Sequence, residues 1–265
     1  MTIPEGVTTI REYAFCECTS LASVTIPEGV TTIGAFAFLK CTSLASVTIP
    51  KGVTTIGGYT FRECTSLASV NIPEGVTTIG HGAFNNCTSL ASLTIPEGVT
   101  TIGDEAFRRC TSLASVIIPE GVTTIGEDAF DECTSLASLT IPEGVTTIGE
   151  YAFSDCTSLV SVLLPNSAVE VTTRVFCGCT SLALAVASDG ACNTILNGYA
   201  LPFVYRPAVI DYVSTFKQIR RPSLAPYTPE TARQSRQLEF WSPRSHFLCN
   251  SARKEWVKFV LLLLT

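Results

Sequence analysis

Charge is scarce in this 265-residue chain: 15% of its residues are Asp, Glu, Lys or Arg, against roughly 25% in an ordinary soluble domain. Imidazole is scarcer still. His81 and His246 are the only histidines, so histidine-based catalysis and metal binding have little to draw on. Long apolar runs are missing: the longest clean ones, Leu182 to Ala187 and Phe259 to Leu264, fall far short of the ~20 residues of a membrane helix. Met1 to Glu5 has neither the basic start nor the apolar stretch of a secretion signal. No P-loop and no nucleophile elbow occur. Apolar residues are plentiful at 46%, enough to bury a core and to exclude wholesale disorder.

What fills the chain is a repeat. Cys18, Cys41, Cys64, Cys87, Cys110, Cys133, Cys156 and Cys179 stand 23 residues apart. A leucine follows each by three positions, from Leu21 to Leu182, and a phenylalanine precedes each by three, from Phe15 to Phe176. A fixed period of this length with a leucine-rich core defines a leucine-rich-repeat solenoid. In the unit that begins at Leu21, Val24 and Ile26 lie two apart, as inward residues of a short strand do, and Ser23 and Thr25 face out. Pro27 ends the strand because it cannot donate to a ladder. Gly29 and Gly34 allow bends. Val30 and Ile33 point inward on the return path, Ala37 and Phe38 fill the broad end, and Cys41 closes the coil. One unit cannot bury these groups alone, so coils must stack ~4.8 Å apart. The expected fold is a curved parallel β-sheet with one short strand per coil, running through Val24, Val47, Val70, Leu93, Val116, Leu139 and Val162. Short turns or helical turns should make the other side.

The unit from Ile141 to Leu159, IPEGVTTIGEYAFSDCTSL, resembles the BspA-type (treponemal-type) leucine-rich repeat. The resemblance covers about residues 2–187. It implies a surface-exposed or secreted protein that binds other proteins or adheres to hosts, and it implies no chemistry. The expected function is a non-enzymatic protein-binding or adhesion solenoid, with no cofactor, no metal and no nucleic acid as partner. Two alternatives stand beside it. The Ser/Thr rows could form an ice-binding or other structured-surface-binding array, although sheet curvature spoils a lattice match. The near-identity of the coils also fits an expanded array with no specific partner.

Three regions are expected. Residues 1–187 form the solenoid, about eight coils with the first truncated. Residues 188–208 form a β-hairpin cap, signalled by Asn197-Gly198 between short apolar runs. Residues 209–265 form a basic, proline-punctuated tail, extended or disordered. Residues 1–182 carry 7 basic and 18 acidic side chains, and residues 183–265 carry 10 and 5. The tail is either a basic arm for the acidic solenoid or a membrane surface, or an incidental extension. The first strand lacks its leading half and a cap, which offers an edge for end-to-end self-association. The compartment depends on the true start: cytoplasmic if Met1 begins the protein, secreted or cell-surface if an upstream signal is missing.

The periodic cysteines read as reduced, buried, small apolar side chains. Cys16 with Cys18, and Cys177 with Cys179, add second thiols that could oxidise or join a metal site; zinc would want four convergent ligands. His81 reads as a solvated turn residue. The row Glu5, Glu28, Lys51, Glu74, Glu97, Glu120 and Glu143 reads as a solvated rim, or as a draw for Ca²⁺ or a basic partner. A partner needs distinctive anchors. The expected concave face is a nearly uniform lawn of Ser and Thr, with Ile117 and Leu163 as exceptions. Variation concentrates at the bends, where Phe36, Tyr59 and Tyr151 occupy one column. Phe36, Tyr59, Tyr151, Ile117 and Leu163 are therefore the candidate partner-binding residues, and the competing reading of the aromatic ones is partial burial between turns.

Overall fold

The structure, a computed structural model, describes residues 1–165, 174–182 and the backbone of the strand Leu184–Ala187. The expected cap and tail lie outside the described residues. What is described belongs to one compact unit, a solenoid of parallel β-strands.

Each coil has three sides. The first is the Ser-x-Thr strand, for example Ser46–Thr48, whose hydroxyl residues are exposed while Val47 is buried. Pairing is parallel and advances one repeat at a time: Val47 opposite Val70, Leu93 opposite Val116, Leu139 opposite Val162. Val24 belongs to the same file through the bridge between Ser23 and Ser46. The ladder is not one unbroken sheet, however. It divides into Ser46–Thr48 with Ser69–Asn71, then Ser92–Thr94 with Ser115–Ile117, then Ser138–Thr140 with Ser161–Leu164 and Leu184–Ala187.

The second side differs from the single strand expected per coil. The Thr-Ile pair after each Val is itself a strand. Thr55–Ile56, Thr78–Ile79, Thr101–Ile102, Thr124–Ile125 and Thr147–Ile148 make a continuous five-stranded parallel sheet, and Thr9–Ile10 pairs with Thr32–Ile33. Both residue types are β-branched and favour extended backbone. Isoleucine faces the core, and the threonine before most of these strands donates its hydroxyl to the carbonyl one coil back, as Thr123 does to Thr100 at 3.2 Å.

The third side, the bend, is made of short turns, one of the two forms expected, and contains no helix among the described residues. Its backbone alternates instead. In one coil the N–H groups of Tyr59, Phe61 and Glu63 donate to the carbonyls of His81, Ala83 and Asn85 in the next coil, at 2.8 Å each. Arg62 and Cys64, between and after them, donate three residues back to Tyr59 and Phe61. The pattern recurs along the solenoid, so three parallel files of intercoil bonds line the bend. It places two residues per coil in the left-handed region, at φ 55° for Tyr59 and 60° for Glu63.

The glycines expected to make the bends mostly serve another purpose. Gly126 has no positive φ, but a Cβ there would lie 2.4 Å from the backbone nitrogen of Asp104 in the coil before. At Gly144 it would lie 2.3 Å from the carbonyl oxygen of Glu120. Glycine is present so that consecutive backbones can touch.

Inside, each column repeats one side chain. Phe38, Phe61, Phe84, Phe107, Phe130 and Phe153 are fully buried. With Phe15 and Phe176 they stack near-parallel, their ring centroids 5.1 to 5.7 Å apart. At that separation the rings are offset, the arrangement their quadrupoles favour.

Candidate interaction surfaces

The thiols that the period places in one column are buried from Cys41 to Cys156. Each donates its S–H to the phenylalanine carbonyl of the coil before, as Cys64 does to Phe38 at 3.2 Å and Cys133 to Phe107 at 3.3 Å. Burial holds the Cys41 thiol up at about 12 and pushes Cys64, Cys87, Cys110 and Cys133 well above an ordinary thiol. For Cys156 a hydrogen bond with Cys179 and then burial act in the same direction. Neutral thiols at this depth are neither nucleophiles nor ready metal ligands. Cys18 is exposed, and Cys16, Cys177 and Cys179 are half-buried.

The candidate residues separate into three places. On the bend, Tyr13, Phe36 and Tyr59 stack in consecutive coils at 4.8 and 5.1 Å. Their faces are spent on one another and their edges form a ridge. Phe36 and Tyr59 are half-buried, whereas Tyr13 is exposed. The ridge ends at Gly82, where the Tyr59 ring occupies the space of a side chain. There the Tyr59 hydroxyl hydrogen-bonds Nε2 of His81, whose ring meets it edge-on, and the Arg62 guanidinium lies 5.3 Å over the Tyr59 ring. Tyr151 sits apart, half-buried, beneath Arg174, which pairs with Glu150 at 2.9 Å.

Between these aromatic places the same bend carries a polar network that sequence reading missed. The Asn85 amide donates to Glu105 at 2.8 Å. Arg108 donates to Asp131 at 3.0 Å, and Arg109 pairs with Glu132 at 2.9 Å. Burial pushes the Asp131 carboxyl up, opposed by the Arg108 guanidinium. The signal lay in the column Asn85, Arg108, Asp131, which places a neutral, a basic and an acidic side chain at one-coil spacing.

Ile117 and Leu163 are on the other side, in the Ser-x-Thr face, 71% and 45% exposed. Val160 adds a third exposed aliphatic chain just before the strand that bears Leu163. An open groove of about 440 Å³ lies farther along this face, lined by Ser46, Val47, Ser69, Val70 and Asn71 and reaching Pro96. It coincides with the interruption between Ser69–Asn71 and Ser92–Thr94, where Val70 is half-buried while its counterparts are covered. The glutamates after proline are all exposed, as is Lys51. Among the described residues no group of three or more His, Cys, Asp or Glu is placed to hold a metal ion, and no helix is long and apolar enough to cross a membrane.

Stacked parallel coils of this length, each closed by a Leu, Phe and Cys column, define a leucine-rich-repeat protein. More narrowly, the chain belongs to the BspA type leucine rich repeat family, whose profile matches residues 1–114 and 100–199 in six copies. Solved structures agree. A leucine-rich repeat protein of T. pallidum is 29% identical, with 66% of this chain and 84% of that one covered and a TM-score of 0.53. One from Bacteroides ovatus is 25% identical over 74% of this chain and 73% of that one, also at TM-score 0.53. One from Eubacterium ventriosum, 21% identical over 76% and 68% at TM-score 0.52, shares the fold. No curated protein sequence matches this chain.

Proposed function

We propose that this chain is a protein-binding or adhesion scaffold that acts without catalysis, and that its partner contacts are Ile117 and Leu163 together with the edges of Phe36, Tyr59 and Tyr151. Its family supports a scaffold role. The observation that carries the choice of residues is the exposure of Ile117 and Leu163 on an ordered sheet whose other outward residues, among those described, are hydroxyls and Asn71. Hydroxyls already satisfied by water yield little on transfer to a partner, whereas apolar area gains roughly 25 cal/mol per Å² buried. Several weak contacts along one rigid array add through effective concentration.

The test uses a partner captured from candidate host or bacterial surface proteins and then purified, with affinities measured by calorimetry. Replacing Ile117 and Leu163, or Phe36, Tyr59 and Tyr151, by Ser should each weaken binding at least tenfold. Replacing Thr48, Thr94 and Thr140 by Ala should leave it within twofold. Binding lost with the threonine set and retained with the others would place the site on the hydroxyl lawn.

A further inference from the structure

Ile117 and Leu163 occupy one outward file, two coils apart, with exposed Thr140 between them; Thr140 is the register partner of Leu163. The Ser-x-Thr ladder has no strand pairing between Ile117 and Thr140, but the Thr-Ile sheet holds the same coils in register through Thr101, Thr124 and Thr147. At about 4.8 Å per coil, the two aliphatic chains stand about 9.6 Å apart. Where these strands end, Glu97, Glu120 and Glu143 form an exposed margin, one per coil. The charge of this half is one-sided: residues 101–155 hold ten carboxylates and only two basic side chains, Arg108 and Arg109. Both arginines are engaged by Asp131 and Glu132 on the bend.

We infer that this stretch of the sheet docks a basic segment of another protein in polyproline II form, with an aliphatic side chain at every third residue and Lys or Arg between. The inference rests on the protein-binding reading above and gives the partner's chemistry. Polyproline II has three residues per turn and a rise of 3.1 Å, so its consecutive same-face side chains are about 9.3 Å apart and meet both Ile117 and Leu163. A β-strand repeats its face every ~6.6 Å, or about 13.2 Å for two steps, and an α-helix turns every ~5.4 Å, or about 10.8 Å for two turns, and none of these meets the span as closely. The polyproline II backbone has no internal hydrogen bonds, which leaves its carbonyls to the Ser115, Ser138 and Thr140 hydroxyls. The long basic side chains reach the glutamate margin, where the surrounding negative charge draws them in.

Fluorescence anisotropy on the full chain tests this with four labelled peptides: (Lys-Pro-Leu)4, (Lys-Pro-Ser)4, (Glu-Pro-Leu)4 and alternating (Lys-Leu)6. The first should bind at least tenfold more tightly than each of the others and weaken as salt is raised. The double variant Ile117→Ser with Leu163→Ser, its fold checked by circular dichroism, should bind (Lys-Pro-Leu)4 no better than wild type binds (Lys-Pro-Ser)4. Thr19→Ala, an exposed change in the first coil outside every candidate surface, should leave that affinity unchanged. Equal binding of the serine peptide would reduce the effect to charge attraction, and equal binding of the alternating peptide would remove the spacing argument. Either result, an insensitive double variant, or no binding of (Lys-Pro-Leu)4 overturns the inference. The scaffold reading would survive any of these if a captured partner still depends on the candidate residues.

Discussion

Single residues carry the constraints that a repeat consensus hides. Lys40 is half-buried on the bend with φ 58°, a conformation that costs an L-residue roughly 1–2 kcal/mol. Lys40 already bears that cost, and Val adds a β-branch that the left-handed region tolerates worst, so Lys40→Val should lower stability in urea unfolding by more than the roughly 0.5 kcal/mol of most surface changes. Lys40→Gly, which relieves the strain but frees the unfolded chain, should come out near neutral. Gly126→Ala should cost about 1–3 kcal/mol as overpacking against Asp104. Neither constraint was legible: a left-handed position usually announces itself as Gly or Asn, and here it is held by Tyr, Phe, Lys and Glu because the intercoil bonds require it. The buried thiols make a third case. Their folded-state values lie above that of a free thiol, near 9, with Cys41 at about 12. Above pH 9 the unfolded chain therefore sheds protons that the folded chain keeps. Their contribution is complete below that pH and is lost as pH rises toward the folded-state values. Urea midpoints should fall above pH 9, and less steeply in a Cys64→Ala, Cys87→Ala, Cys110→Ala variant. An unchanged slope would remove the thiols from the account.

At the scale of strands and columns, sequence periodicity was a good guide wherever a side chain repeated on one face. The Ser-x-Thr strands alternate out and in as their hydroxyl and aliphatic residues imply, and the Phe column is buried as its spacing implies. Phe107→Ala should cost about 3–5 kcal/mol, as truncation of a fully buried ring does, while Ser115→Ala should cost less than about 0.5. Comparable losses in denaturant melts would mean that the two faces are assigned wrongly. The Thr-Ile strands escaped notice because two residues carry no period of their own. Only stacking turns them into a sheet, and stacking is a property of many coils together. For the same reason sequence could not show that Tyr13, Phe36 and Tyr59 pack on one another while Tyr151 stands apart under Arg174.

Across the whole array the coils are alike in their interior and unequal in what they present. Aromatic edges gather toward the start, while carboxylates and exposed aliphatic chains gather toward the other end. The two ladders should also differ in endurance. The Thr-Ile sheet runs unbroken through five coils, whereas the Ser-x-Thr file is interrupted after Asn71 and again after Ile117. Native-state hydrogen exchange should protect the amides of Ile79 and Ile102 more strongly than those of Ile72 and Leu93 beside the first interruption. The reverse order would mean that the interruption has no energetic consequence.

The three files of bonds along the bend also give that side of the solenoid an electrical sense. In each file the carbonyl of one peptide group faces the coil before and its N–H faces the coil after, from Phe15 through Phe38, Phe61, Phe84, Phe107 and Phe130 to Phe153. Peptide dipoles of about 3.5 D then add head to tail, as they do in the roughly 3.6 bonded files of an α-helix. The bend is thus the counterpart of a helix laid along the solenoid axis, with its negative pole toward the first coil and its positive pole toward the last. On the other two sides the N–H groups of Thr100, Gly103 and Ala114 donate instead to the coil before, at Thr77, Ile79 and Ala91, so the opposed files offset one another over a whole coil and the polarity is a local property of the bend.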